Sequence, residues 1–373
     1  MNPTSQLHAI GQSLWLDNIT RGLLSSGTLR RYLADFSVTG LTSNPTIFDQ
    51  AIAHTAFYDD AIRRKAAEGK SGEDLFFELA LEDLGQAADL FRPIHDQTQG
   101  MDGWVSLEVS PLLAYDTRST IEEAKALHAR GRRPNLFIKI PGTEQGLPAI
   151  EESIFAGVPI NVTLLFSDEQ YLAAANAYMR GIERRLAAGL NPVVRSVASL
   201  FVSRWDKALQ GKTSEELRGR VGIAVAGRTY RAYRELLSSA RWKRLAAAGA
   251  VPQRLLWAST GTKDPGLSDV LYIIALAAPD TINTMPENTL LAFANHGMVG
   301  ELMRPDGGDA DLVLNHLGQA GTDVGALAAT LQREGAEAFV TSWKDLLSCL
   351  EAKSATLRDA ALAGGRRLSL IHI

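Results

Sequence analysis

NLFIKIP (135–141) is an apolar run with a single cation near its end. Strand side chains alternate between faces, so Leu136, Ile138 and Ile140 share one face while Phe137 and Lys139 share the other. The same parity sorts the runs on either side of it. In WVSLEVS (104–110), Val105, Leu107 and Val109 oppose Ser106 and Glu108. In PINVTLLF (159–166), Ile160, Val162 and Leu164 oppose Asn161 and Thr163. Towards the N-terminus, Leu14 and Leu16 oppose Trp15 and Asp17, and Asn44 follows Thr42 on one parity near the end of VTGLTSNP (38–45).

Strand-like runs at 13–18, 38–44, 103–109, 135–140, 159–165, 193–199, 254–259 and 280–284 alternate with amphipathic helical stretches. Eight such runs predict an α/β protein of parallel βα units. Closure into a (β/α)8 TIM barrel is the common solution at 373 residues. Periodicity leaves an open doubly wound sheet as the alternative. The helices carry their own signals: in 167–186, Tyr171, Ala175, Tyr178, Ile182 and Leu186 recur at helical spacing behind a Ser167 N-cap, with Gln170 three residues later. Additional helices are expected, two in 45–100, more in the basic, Ala-rich insertion 207–250, and a continuous helical extension over 289–352. That C-terminal extension would pack outside the barrel or across its mouth. Residues 1–365 read as one domain, and 366–373 as a tail, disordered or a cloning or sequence-assembly remnant.

Composition narrows the function. A net charge of −4 leaves no basic footprint for nucleic acid. The N-terminus lacks the charged start and apolar core of a signal peptide. The most apolar stretch, VLYIIALAAP (270–279), is about half of the roughly 20 residues a membrane span needs. The one cysteine, Cys349, cannot form an internal disulfide, so a soluble cytoplasmic protein without membrane contact is expected. Gly69-Lys70-Ser71 and Gly211-Lys212-Thr213 mimic the end of a P-loop, but Arg64 and Asp206 stand where its first glycine belongs. The histidines show no metal-ligand spacing, and no cofactor or metal is expected.

One parity collects Asp17, Asn44, Glu108, Lys139, Asn161 and Thr163, mostly late in their strands. A barrel places its chemistry there, on inward side chains. Each residue alone has a plainer reading. A strand lysine can snorkel from an edge, a late acid can cap the next helix, Asn44 before Pro45 can begin a turn, and Thr163 can reflect β-propensity. Their convergence favours function. A lysine amine attacks a ketone only when neutral, about one molecule in 2,500 at pH 7 for an ordinary lysine. Burial among apolar neighbours disfavours the ammonium. The resulting Schiff base is an electron sink for C–C cleavage. Glu108 and Asp17 can divide the proton transfers, and Asn44 and Asn161 suit sugar hydroxyls.

The runs LTSNPTIF (41–48), VSLEVSP (105–111), LFIKIPGT (136–143), INVTLLFS (160–167) and WASTGTKDP (257–265) together resemble the transaldolase family, in order, from about residue 10 to about 355. The resemblance is to its longer-chain bacterial branch, within the Schiff-base aldolases. It implies that Lys139 forms the Schiff base, that Asp17 takes the proton of the substrate C4 hydroxyl, and that Glu108 with Thr163 holds the catalytic water. It implies further that Asn44, Asn161 and Ser199 contact substrate hydroxyls and that Arg204 and Ser259 contact phosphate. The sequence departs from shorter relatives at Gly261, where they carry a phosphate-binding arginine; Lys263 is the expected replacement. The implied reaction moves a three-carbon ketol unit from sedoheptulose 7-phosphate to glyceraldehyde 3-phosphate, giving erythrose 4-phosphate and fructose 6-phosphate in the pentose phosphate pathway. The partners are sugar phosphates, and a homodimer is left open. Alternatives are a fructose-6-phosphate-type aldolase on the same scaffold and a non-catalytic sugar-phosphate-binding protein.

Overall fold

The computed structural model describes residues 2–369. Eight parallel strands close in sequence order into one barrel: β1 (Ser13–Asp17), β2 (Val38–Thr42), β3 (Trp104–Glu108), β4 (Leu136–Pro141), β5 (Ile160–Leu165), β6 (Ser196–Phe201), β7 (Gln253–Ala258) and β8 (Thr281–Met285). β1 pairs with β8, so the sheet has no free edge and the (β/α)8 expectation holds.

The alternating faces have distinct packing partners. Inside, at the end where strands begin, Trp104 stacks on Phe137 with centroids 4.0 Å apart, and Trp15 lies 6.2 Å from Phe137. Trp15 and Phe137 stand two residues before Asp17 and Lys139 on their strands, and Trp104 four residues before Glu108. Gly40 is required beside them: a Cβ there would meet the Trp15 indole nitrogen at 2.7 Å and the Trp104 carbonyl oxygen at 2.8 Å. The Trp15 indole N–H donates to Asp102 at 2.7 Å, which satisfies its polar edge. Outside, the helices cover the other parity, as Asp168–Ala187 does with buried Tyr171, Ala175, Tyr178 and Ile182. Its Ser167 cap accepts the Gln170 N–H, while the Gln170 side chain accepts the Phe166 N–H.

Three expectations shift. The sixth strand begins at Ser196 rather than 193, because Asn191 accepts the Val193 N–H in a turn and Val193 stays 48% exposed. The 45–100 region holds three helices, Pro45–His54, Asp59–Ala67 and Gly72–Gln97, rather than two. The extension over 289–352 is not continuous: it breaks after Glu287–His296 and again after Ala310–Gln319. Pro305, with Gly307 and Gly308 both at positive φ, cannot continue a helix through the first break, and Gly321 marks the second. The last helix, Val324–Ser369, crosses the end of the barrel where the strands finish. The first residues of the expected tail, 366–369, have helical backbone in it, and 370–373 lie outside the described residues.

Candidate active site

Lys139 is the fourth residue of β4, and parity turns it inwards above Phe137. It is 5% exposed. Its Nζ donates to Glu108 Oε2 at 3.1 Å and to the Ser43 carbonyl oxygen at 3.0 Å. The strand register makes this pair, since Glu108 on β3 faces Lys139 and Lys139 faces Asn161 on β5. The amine is buried beside one of the two acids that share its parity. It is hydrogen-bonded to an equally buried acid.

The neighbouring strands supply a second acid and an amide. Thr42 donates to Asp17 Oδ1 at 2.8 Å and lies 2.7 Å from Thr284, which fixes the carboxylate from two strands. Asn161, fully buried, donates to Ser106 Oγ at 3.2 Å and accepts from Ser199 Oγ at 2.7 Å. Glu108 Oε1 and Thr163 Oγ1 are buried without a protein hydrogen-bond partner. Asn44 stands at the turn before Pro45. It caps helix Pro45–His54 by accepting the Ile47 N–H at 3.1 Å, and it lines the cavity.

The cavity, about 600 Å³ and open to solvent, has Asp17, Asn44, Lys139, Thr163, Ser199, Arg204, Ser259 and Lys263 in its wall. Glu108 and Asn161 stand behind that wall and touch it through Lys139 and Ser199. The cationic side is Arg204 and Lys263. Ser259, just past β7 at φ 55°, lies 2.9 Å from Ser203 Oγ. The Lys263 amine reaches to 3.7 Å from where a Cβ on Gly261 would sit. Leu164 also has positive φ, 59°, within an irregularity between Val162 and Leu165. Left-handed backbone at two bulky or β-carbon-bearing residues beside one cavity is strain held in place by its surroundings. A larger groove adjoins across Lys263, but its acids are engaged, Asp206 with the Tyr272 hydroxyl and Asp264 with Arg218.

Burial is the main force on the acids. It pushes the Asp17 carboxyl above the ordinary value against the pull of Lys139, the Thr42 hydrogen bond and Lys263. It pushes Glu108 up in the same way, opposed chiefly by Lys139. Burial lowers Arg204, with Glu108 acting in the opposite sense. Two acids held ready to accept protons beside a buried amine can serve imine formation and its reversal. Among the described residues, no group of three or more His, Cys, Asp or Glu is placed to hold a metal ion.

The profile of the transaldolase/fructose-6-phosphate aldolase family matches residues 14–350. The chain belongs to this family. It is 45% identical to the transaldolase of Arthrobacter sp. (strain FB24) over 368 residues, 96% of this chain and 99% of that relative. It is 46% identical to the transaldolase of Thermobifida fusca (strain YX), covering 93% of this chain and 96% of the relative. Identity to transaldolase 2 of Nostoc sp. (strain PCC 7120) is 39% over 95% and 98%. Because coverage is nearly complete both ways, the added helices lie within the length these family members share.

Sequence reasoning missed several parts of the wall of this family's cavity. Thr42 and Thr284 look like ordinary strand threonines until closure brings β2 and β8 to either side of β1. The Ser43 contribution is a backbone carbonyl, which no side-chain pattern announces. Phe201 and Phe339 both line the cavity, the latter from the C-terminal helix. Parity in 196–201 could have found Phe201, since it shares a face with Ser199. No local signal points to Phe339.

Proposed function

We propose that this chain is a transaldolase that carries its chemistry on Lys139, without a cofactor, within a single domain spanning residues 1–365. The supporting observation is the placement of Lys139 Nζ 3.1 Å from Glu108, both nearly inaccessible, at the base of a cavity that Asp17, Thr163, Ser199 and Arg204 also line or approach. Proton transfer from the Lys139 ammonium to Glu108 frees the amine. The amine then adds to the C2 carbonyl of a ketose phosphate. Loss of water from the carbinolamine leaves the imine, and we assign that water to Glu108 Oε1 and Thr163 Oγ1, the two oxygens without protein partners. Asp17 accepts the C4 hydroxyl proton as the C3–C4 bond breaks, and the aldehyde leaves. The electron pair passes into the iminium, so the three-carbon unit waits on the lysine as an enamine for an acceptor aldehyde. Reversal of these steps on that acceptor completes the transfer.

The binding assignments follow from the same wall. Asn44 and Ser199 meet sugar hydroxyls, with Asn161 orienting Ser199. Arg204 and Ser259 take the phosphate. Lys263 stands in for the arginine that shorter relatives carry at the position of Gly261, and its amine occupies the space above that glycine. Replacing Lys263 by alanine is expected to raise KM for fructose 6-phosphate several-fold; an unchanged KM removes Lys263 from the phosphate site. We place the protein in the cytoplasm; among the described residues no helix is long and apolar enough to cross a membrane.

A product assay separates transfer from simple cleavage. Fructose 6-phosphate with erythrose 4-phosphate should give sedoheptulose 7-phosphate and glyceraldehyde 3-phosphate. Fructose 6-phosphate alone should release no catalytic quantity of free dihydroxyacetone. Steady dihydroxyacetone release without an acceptor would instead make the chain an aldolase, and no turnover in either assay would leave a binding protein.

A further inference from the structure

The C-terminal helix closes the phosphate side of the cavity with a ring. Phe339 is 6% exposed and lines the cavity, as Phe201 does. The Arg204 guanidinium carbon lies 5.1 Å from the Phe201 ring centroid and 5.8 Å from that of Phe339. Both distances fall within the range in which a ring face attracts a cation. Acidic influence on Arg204 comes from Glu108 alone, and at Coulombic range without a hydrogen bond. The guanidinium is thus held by rings, with its N–H donors uncommitted.

Two further contacts fix the geometry. Gln332, two helical turns before Phe339, donates to the Gly142 carbonyl at 3.0 Å and to the Leu164 carbonyl at 2.9 Å. This sets the height of the helix above β4 and β5, and the left-handed Leu164 presents the second acceptor. Between them, Gly335 leaves room for the arginine: a Cβ there would lie 3.1 Å from Arg204 Nη1 and 3.0 Å from a Leu164 methyl.

We propose that Phe339 is a positioning residue for substrate phosphate, bracketing Arg204 with Phe201 so that its donors face the cavity rather than Glu108 or solvent. The proposal rests on the reading of Arg204 as a phosphate ligand. A ring face holds a guanidinium without occupying its hydrogen bonds, which a carboxylate in the same place would do. It also keeps a second cation away from Glu108, leaving that acid to Lys139. The C-terminal helix therefore tunes recognition of phosphorylated sugars while taking no part in imine chemistry.

The test compares fructose 6-phosphate with fructose as donors, erythrose being the acceptor in both cases. Phe339→Leu, which keeps an apolar side chain but no ring face, should raise KM for fructose 6-phosphate by roughly tenfold. Its kcat, and kcat/KM for fructose, should stay near the parent values, and Phe339→Trp should restore KM. In an Arg204→Ala background, Phe339→Leu should add nothing. Equal losses with both donors, or full additivity with Arg204→Ala, would overturn the proposal and leave Phe339 as packing only. If Arg204→Ala raises KM but Phe339→Leu does not, this inference alone fails. An unchanged KM in Arg204→Ala would overturn the phosphate reading beneath it.

Discussion

A half-buried arginine and a buried one sit at opposite ends of the barrel, and their surroundings differ. Arg254, at the start of β7, is 8% exposed and donates to the Met101 carbonyl, the Ser13 hydroxyl and the Thr281 carbonyl at 3.1, 2.8 and 2.9 Å. Arg204, just past β6, lies against two aromatic rings and lines a cavity. One cation ties the floor of the barrel together; the other keeps its donors for something that is not protein. Burying a polar group is costly unless it is hydrogen-bonded. An arginine whose donors open on a cavity therefore points to a ligand more strongly than burial or charge alone. The acids at the mouth carry the same message, since Glu108 and Asp17 are both pushed above their ordinary values by burial.

The contrast can be broken at either end. The largest effect belongs to Lys139→Arg, which keeps the charge beside Glu108 but cannot form an imine. It should cut kcat/KM by about a thousandfold or more while the melting temperature changes little. Asp17→Asn comes next. Loss of the base should lower kcat by about a hundredfold or more. The same change removes a carboxylate whose folded-state pKa is raised, so the variant should melt at a higher temperature than the parent at pH 7 and above. At the floor, Arg254→Ala should cost roughly 2–4 kcal/mol by leaving the Ser13 hydroxyl and two carbonyls without their donor. KM should be unaffected at temperatures where that variant remains folded. A raised KM in Arg254→Ala would erase the distinction between the two arginines.

Much of this mouth could be read from parity. Asp17, Glu108, Lys139, Asn161 and Thr163 all fall on the face opposite the continuous aliphatic one, and closure of eight strands necessarily brings such positions together. What was hidden depends on contacts distant in sequence. Helical periodicity shows which face of 324–350 is apolar, but not that Phe339 covers Arg204 or that Gln332 caps two strand ends. The same periodicity ran through the break after His296, because Met298, Leu302 and Met303 are apolar in an irregular segment. Val193 and Val194 similarly drew the sixth strand too early, although the turn built by Asn191 and Pro192 prevents pairing. Parity put Glu108 on the face of Lys139, but only the strand register shows that the two stand side by side and hydrogen-bonded.

The smallest expected effect lies outside both ends. Glu123 accepts the Ser110 N–H at 2.6 Å, and burial, with Glu73 nearby, pushes its carboxyl up to about 7, against the pull of Ser110 and Arg130. A folded-state pKa above the unfolded one, about 4.3, gives a contribution fully present below that value and lost as pH rises through 7. Melting temperature should therefore fall between pH 5 and pH 8 through this group. His128, whose pKa is lowered by burial, works in the opposite sense as pH falls below its ordinary value. The difference between parent and Glu123→Gln isolates the carboxyl: it should grow with pH across that window, whereas a constant difference would contradict the assignment.

The most direct measurement is covalent. Protein incubated with fructose 6-phosphate and borohydride, then digested and mapped by mass, should carry a reduced three-carbon or six-carbon adduct on the peptide containing Lys139, and Lys139→Arg should carry none. An adduct on another lysine, or an unmodified Lys139 peptide under turnover conditions, would contradict the account.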